Sequence, residues 1–167
     1  TIPRDIMPIS KRLSDYSAEN NKAVLFFSAS STGDTEQLLD FGIHEILVSY
    51  YYMRKSLPYY EKVLDELQKC GGLFMTDSGA FSFMGGVGAD VSEMTSEKYW
   101  IPYLTEYVDW LRAHKDKIFC AANLDLDKLV GRDVVRRWNE EYFEPLEKEG
   151  LQIVYVAHEG EGDPHAI

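Results

Sequence analysis

The stretch Leu73–Phe83, LFMTDSGAFSF, decides how the chain is read. Its first residues are apolar and suit a buried strand. It then runs without a break into Asp77, Ser78 and Gly79, with Ala80, Phe81 and Ser82 beyond. A strand end needs only turn residues. This one also carries a carboxylate, a hydroxyl and an aromatic ring.

Four other segments have the same character: AVLFFSAS (23–30), HEILVSY (44–50), KIFCAANLDLD (117–127) and LQIVYVAHEG (151–160). Each is short, rich in β-branched or aromatic residues, and ends in small or polar ones. Helical patterns lie between them. In SLPYYEKVLDELQKCGG, Tyr60, Val63, Leu64 and Leu67 share a face, Ser56 is placed to cap the start, and Gly71 and Gly72 end it. In TSEKYWIPYLTEYVDWLRAH, Ile101, Leu104, Val108 and Leu111 form a stripe. Pro102 belongs in a first turn, so this helix is expected to begin near Trp100. In RDVVRRWNEEYFEPLEKEG, Val134, Trp138 and Tyr142 share a face, Pro145 is expected to kink or divide the helix, and Gly150 closes it. A weaker helix fits DTEQLLDFG (34–42).

The order β-α-β-α-β-α-β-α-β predicts an α/β fold with a parallel sheet. Two architectures fit: an open doubly wound sheet, or the first five strands of a (β/α)8 barrel. A complete barrel takes about 250 residues, against 167 here. The sequence ends in HEGEGDPHAI, directly after the fifth strand, where a covering helix is expected. The expectation is therefore one domain over 1–167, the N-terminal portion of a TIM-type barrel. A missing C-terminal half or a second chain would complete it.

Composition narrows the function. The chain is 45% hydrophobic and 13% aromatic, which argues against disorder. There is no apolar run of membrane-spanning length and no secretory leader pattern, so a cytoplasmic protein without membrane contact is expected. Cys70 and Cys120 are far apart and read as reduced thiols. His44, His114, His158 and His165 show no ligand spacing, so no metal site is expected in this chain. The formal charge of −11 argues against a general phosphate-binding surface. Arg132, Arg136 and Arg137 cluster, but Asp133, Glu140 and Glu141 accompany them, as on a mixed solvated face.

In either architecture ligands bind at the carboxyl ends of parallel strands. The residues there are Ser28, Ser30, Ser31, Thr32 and Gly33; Ser49, Tyr50 and Tyr51; Asp77, Ser78 and Gly79; Asn123, Asp125 and Asp127; and His158, Glu159 and Glu161. Each has a plain alternative. Asp77-Ser78-Gly79 also reads as an Asx turn. Asp127 reads better as a helix cap or ion-pair partner, Tyr50–Tyr52 as packing, and His158 equally as a structural histidine. SASSTGD lacks the lysine and spacing of a P-loop, and GGVGAD (85–90) lacks the Rossmann pattern. Two carboxylates and a stacking ring suit a planar heterocycle with several N–H groups, such as guanine or a 7-deazaguanine.

DSGAFS resembles the DSGGFQ motif of the tRNA-guanine transglycosylase superfamily, which are (β/α)8 barrels. There too the motif follows the third strand. AANLDLD takes the place of the strand whose aspartate reads the base, with Asp125 the better match and Asp127 the alternative. VYVAHEGEG loosely resembles a Val-Gln-Gly-Gly turn, with His158 at the glutamine and Gly160 in the turn. The resemblance spans roughly 23–163. It implies replacement of guanine by a 7-deazaguanine base in a nucleic acid, tRNA or DNA, through a covalent intermediate. Phe81 would stack on the base, Asp77 would assist proton transfer, Ser78 and Asp125 would bond the base edge, and His158 would contact its carbonyl. Ala80 replaces a family glycine and Ser82 the glutamine. The family's nucleophilic aspartate and Cys/His zinc site belong to later strands, beyond residue 167. DSGAFS is closer to the divergent, often virus-encoded branch acting on DNA. The alternatives are a non-catalytic half-barrel binding a base or a partner protein, and an unrelated barrel lyase or hydrolase using Asp77 and Asp125 as an acid–base pair.

Overall fold

A computed structural model describes residues 23–84 and 91–156. Strands β1 (Phe27–Ala29), β2 (Glu45–Ser49), β3 (Leu73–Asp77), β4 (Cys120–Ala122) and β5 (Gln152–Val154) form one sheet. All are parallel and lie in the order β1-β2-β3-β4-β5. A doubly wound sheet reverses its strand order at a switch point. No reversal occurs among these strands, so each crossover steps in the same direction.

With crossovers of one hand, that order puts the connecting helices on one face. The core agrees. Ala29, Ile46, Val48, Phe74, Ala121 and Ile153 belong to the buried cluster, with Ile46 paired to Phe74 and Ala121 to Ile153. Against them pack Val63, Leu64 and Leu67 of α3 (Leu57–Cys70), Leu104, Tyr107 and Leu111 of α6 (Glu97–His114), and Leu146 of α9 (Glu144–Lys148). The alternate residues Glu45, Leu47, Ser49, Leu73, Met75 and Asp77 face the other way and are half-buried. The sheet is thus covered on one side and partly open on the other along β2 and β3.

The helices differ from expectation in instructive ways. α1 spans Thr32–Asp40, starting before the expected position because Ser31 caps it through Asp34 N at 3.0 Å. α3 begins after Ser56, whose side chain makes no cap bond; Pro58 in its first turn and left-handed Gly71 (φ 71°) at its end define it instead. α6 begins at Glu97, not Trp100, with Pro102 inside it. Pro102 is exposed and still close to the helix start, so the carbonyl it leaves without a helical partner belongs to the first turn. Pro145 does divide its helix. After α8 (Arg132–Trp138), Asn139–Phe143 form a π turn that leads into α9. Pro145 cannot donate along the helix, and widening the preceding turn accommodates that loss. Gly150 (φ 102°) then turns the chain, and Leu151 N bonds Leu146 O at 3.0 Å.

Four short helices have no counterpart in the hydrophobic pattern: α2 (Tyr50–Met53), α4 (Ala80–Met84), α5 (Val91–Met94) and α7 (Asp127–Val130). Three of them, α2, α4 and α7, follow strand ends, where they place the residues of the carboxyl edge. No helix among the described residues is long and apolar enough to cross a membrane.

Candidate functional site

The carboxyl edge is built around the end of β3. Asp77 is its last residue and pairs in register with Ser49, the last of β2. Both point to the uncovered face, and Met75 lies below Asp77 on that face. Continuing the register, Asp77 stands opposite Ala122.

Gly79 makes the turn possible. Its φ is +85°, and an added Cβ would lie 2.5 Å from Tyr51 Cβ, 3.0 Å from Ser49 Oγ and 3.1 Å from Tyr103 Oη. Neither the backbone conformation nor the space admits a side chain. The chain then enters α4, whose second residue is Phe81. The Phe81 ring is 81% exposed, the most open large apolar side chain among the described residues. Ser78, by contrast, is 1% exposed, and its carbonyl accepts a bond from Tyr103 Oη at 2.6 Å.

Helix α6 secures two strand ends at once. Tyr103 and Tyr107 lie one turn apart, and the Tyr107 hydroxyl donates to Ala122 O at 2.8 Å. Each phenol therefore satisfies a main-chain carbonyl at the end of one of two adjacent strands. Burial, opposed in part by the nearby Arg54 cation, pushes the Tyr103 phenol far above its ordinary value, and burial does the same for Tyr107. Both remain neutral donors. The Asp77 charge acts in the same direction on each. Arg54 stands 4.9 Å over the Tyr103 ring and forms a 2.7 Å ion pair with Glu106, which also accepts from Tyr50 Oη at 3.0 Å. Neither Tyr103 nor Tyr107 belongs to the aliphatic stripe expected from sequence. The signal was the spacing of Trp100, Tyr103, Tyr107 and Trp110, which widens the buried face.

Asp125 lies in the loop beyond Ala122, the last residue of β4, which is the strand next to β3, and is 6% exposed. Asn123 has a structural task that sequence did not reveal. Its Nδ2 donates to Asn139 Oδ1 at 3.0 Å and its Oδ1 accepts from Val156 N at 3.1 Å. It ties the π turn to the exit of β5. Asp127 opens α7 and lies 3.8 Å from Arg132 Nε, the ion-pair role expected of it. Arg136 pairs with Asp133, and Arg137 with Glu97, so the arginine cluster is a paired surface. At the end of β1, Asp34 accepts from Ser30 N and Oγ. Those hydrogen bonds hold its carboxyl below the usual range and occupy the helix start with a resident anion.

The structure therefore brings Asp77, Ser78 and Phe81 together on one turn, with Asp125 in the loop beyond the neighbouring strand. His158 and Gly160 lie outside the described residues, as does GGVGAD. Cys70 and Cys120 are free thiols; Cys70 is exposed, and burial pushes the Cys120 thiol up to about 12. Among the described residues no group of His, Cys, Asp and Glu could hold a metal ion. No family model, curated protein or solved structure matches the chain.

Proposed function

We propose that the five strands belong to a (β/α)8 barrel of the tRNA-guanine transglycosylase kind. Its rim would bind a guanine-like base during exchange for a 7-deazaguanine in tRNA or DNA. The sequential parallel order and the one-sided helical cover support the barrel, because a closed barrel keeps its helices outside and its alternate strand residues inside. The observation that carries the base-binding reading is the exposed Phe81 ring, four residues after Asp77 on a turn that Gly79 and Tyr103 hold. A ring left open beside a carboxylate suits a base with an apolar face and an N–H edge.

In this reading Phe81 stacks on the base. Asp77 and Asp125 accept from its N–H groups; in its protonated form Asp77 gives its proton to the leaving base as the glycosidic bond breaks, and as a carboxylate it takes one back from the incoming base. The nucleophile that attacks the anomeric carbon, and the zinc of the family, come from strands other than the five described. A polynucleotide-binding surface would likewise lie elsewhere, since the chain carries a formal charge of −11. That charge favours a second reading, a half-barrel that binds a base or a partner protein without catalysis.

Equilibrium dialysis with radiolabelled guanine tests the base-binding claim. The wild type retains guanine, and Phe81→Ala weakens retention by roughly 5- to 150-fold, the range of one lost base–aromatic stack. Equal retention by the two proteins removes base binding at this rim. Assays of base exchange on tRNA and on duplex DNA then separate catalysis from binding alone.

A further inference from the structure

Among the described residues, two polar groups at this rim lack hydrogen-bond partners, and they are neighbours. Ser49 Oγ is buried without a partner. Among the described residues no hydrogen bond reaches the Asp77 carboxylate, although Asp77 O accepts from Thr76 Oγ1 at 3.3 Å. Ser49 and Asp77 are register partners on adjacent parallel strands, and their side chains project from the same face. A hydroxyl is both donor and acceptor, whereas an ionised carboxylate only accepts. The two vacancies are thus complementary.

A buried hydroxyl without a partner is uncommon and calls for an explanation. Ser49 Oγ is turned toward Gly79, where an added Cβ would stand 3.0 Å away. The Tyr103 hydroxyl, which also lies against the Gly79 position, already donates to Ser78 O. A neutral phenol oxygen is a poorer acceptor than a carboxylate. Serine χ1 has three staggered wells, so the hydroxyl can leave the Gly79 side without moving the strand.

We propose that Ser49 is a positioning residue for Asp77. Turned by one χ1 step, its hydroxyl donates to the Asp77 carboxylate and fixes the direction in which that carboxylate meets a ligand. The proposal deepens the base-binding reading, since it matters functionally only if Asp77 contacts the base. The contact itself is independent of what the ligand is.

The test compares wild type with Ser49→Ala at one fixed pH, using the NMR resonance of the Asp77 carboxyl carbon and thermal unfolding. Loss of the hydroxyl is expected to move the Asp77 resonance while leaving the unfolding temperature unchanged or higher. An unmoved resonance overturns the proposal, whatever the base does. Guanine dialysis adds a second readout. Ser49→Ala is expected to weaken guanine about tenfold in the wild-type background and by no further factor with Asp77→Asn. An equal loss in both backgrounds overturns the link through Asp77. If wild type retains no guanine, the base-binding reading falls and the resonance alone decides the Ser49 contact.

Discussion

The two faces of the sheet are made from alternate residues of the same strands, yet they are built to different ends. On the covered face, Ile46, Val48, Phe74 and Thr76 are at most 1% exposed. On the other face, Leu47, Ser49, Met75 and Asp77 remain half-buried. Parallel sheets ordinarily bury both faces. Here β2 and β3 keep a partly open face that ends in the Asp77 turn. The covered face holds the strands in place, and the partly open one presents Asp77 and, just beyond it, Phe81. Stability and function should therefore separate by side of the sheet.

The largest break should come from the covered side. Phe74→Ala removes a buried ring between β2, β4 and the helices and should cost about 3–5 kcal/mol, read by chemical denaturation. A cost under about 1 kcal/mol would mean that this face is not the core. Gly79→Ala comes next. It combines a left-handed backbone with a close approach to Tyr51 and should cost about 2–3 kcal/mol while also disturbing the rim. Tyr107→Phe leaves Ala122 O without its donor and should cost about 1–3 kcal/mol by the same measurement. Met75→Ala, on the partly open side, should cost about 1 kcal/mol or less. Phe81→Ala should leave the unfolding midpoint unchanged while weakening guanine retention, because its ring makes little contact with the fold. A clear fall in that midpoint would assign the ring to packing instead.

The strands themselves were legible in the sequence, but their division into two faces was not, since every apolar run read as a buried strand. β2 and β3 alternate in burial, and their apolar runs marked them. β4 is buried on both faces, Cys120 and Ala122 included, so its run CAA gave a position but no sidedness. The strands are shorter than their apolar runs, and the residues beyond the ladder differ: Ile118, Phe119, Leu124 and Leu126 around β4 are buried, whereas Leu25 before β1 is 70% exposed. Those short helices were invisible, since four or five residues complete barely one helical turn and show no period. At the rim, the motif located Asp77, Ser78 and Phe81. It could not show that Phe81 is open while Ser78 is enclosed, since both follow from where α6 lies. The tyrosine pair on α6 was written in the sequence as aromatic spacing, but its targets, Ser78 O and Ala122 O, are set by tertiary packing. Asn123 is a similar case: its partners come from α8's extension and from β5.

One methionine on each side of this division makes the two environments separately observable. Met75 lies below Asp77 on the partly open face, whereas Met53 is fully buried. Methyl NMR on methionine-labelled protein, titrated with guanine, reports on both positions in one spectrum. The account predicts that the Met75 methyl shifts under the ring current of the bound base while Met53 stays in place. A Met75 signal that does not move at saturating guanine would contradict it.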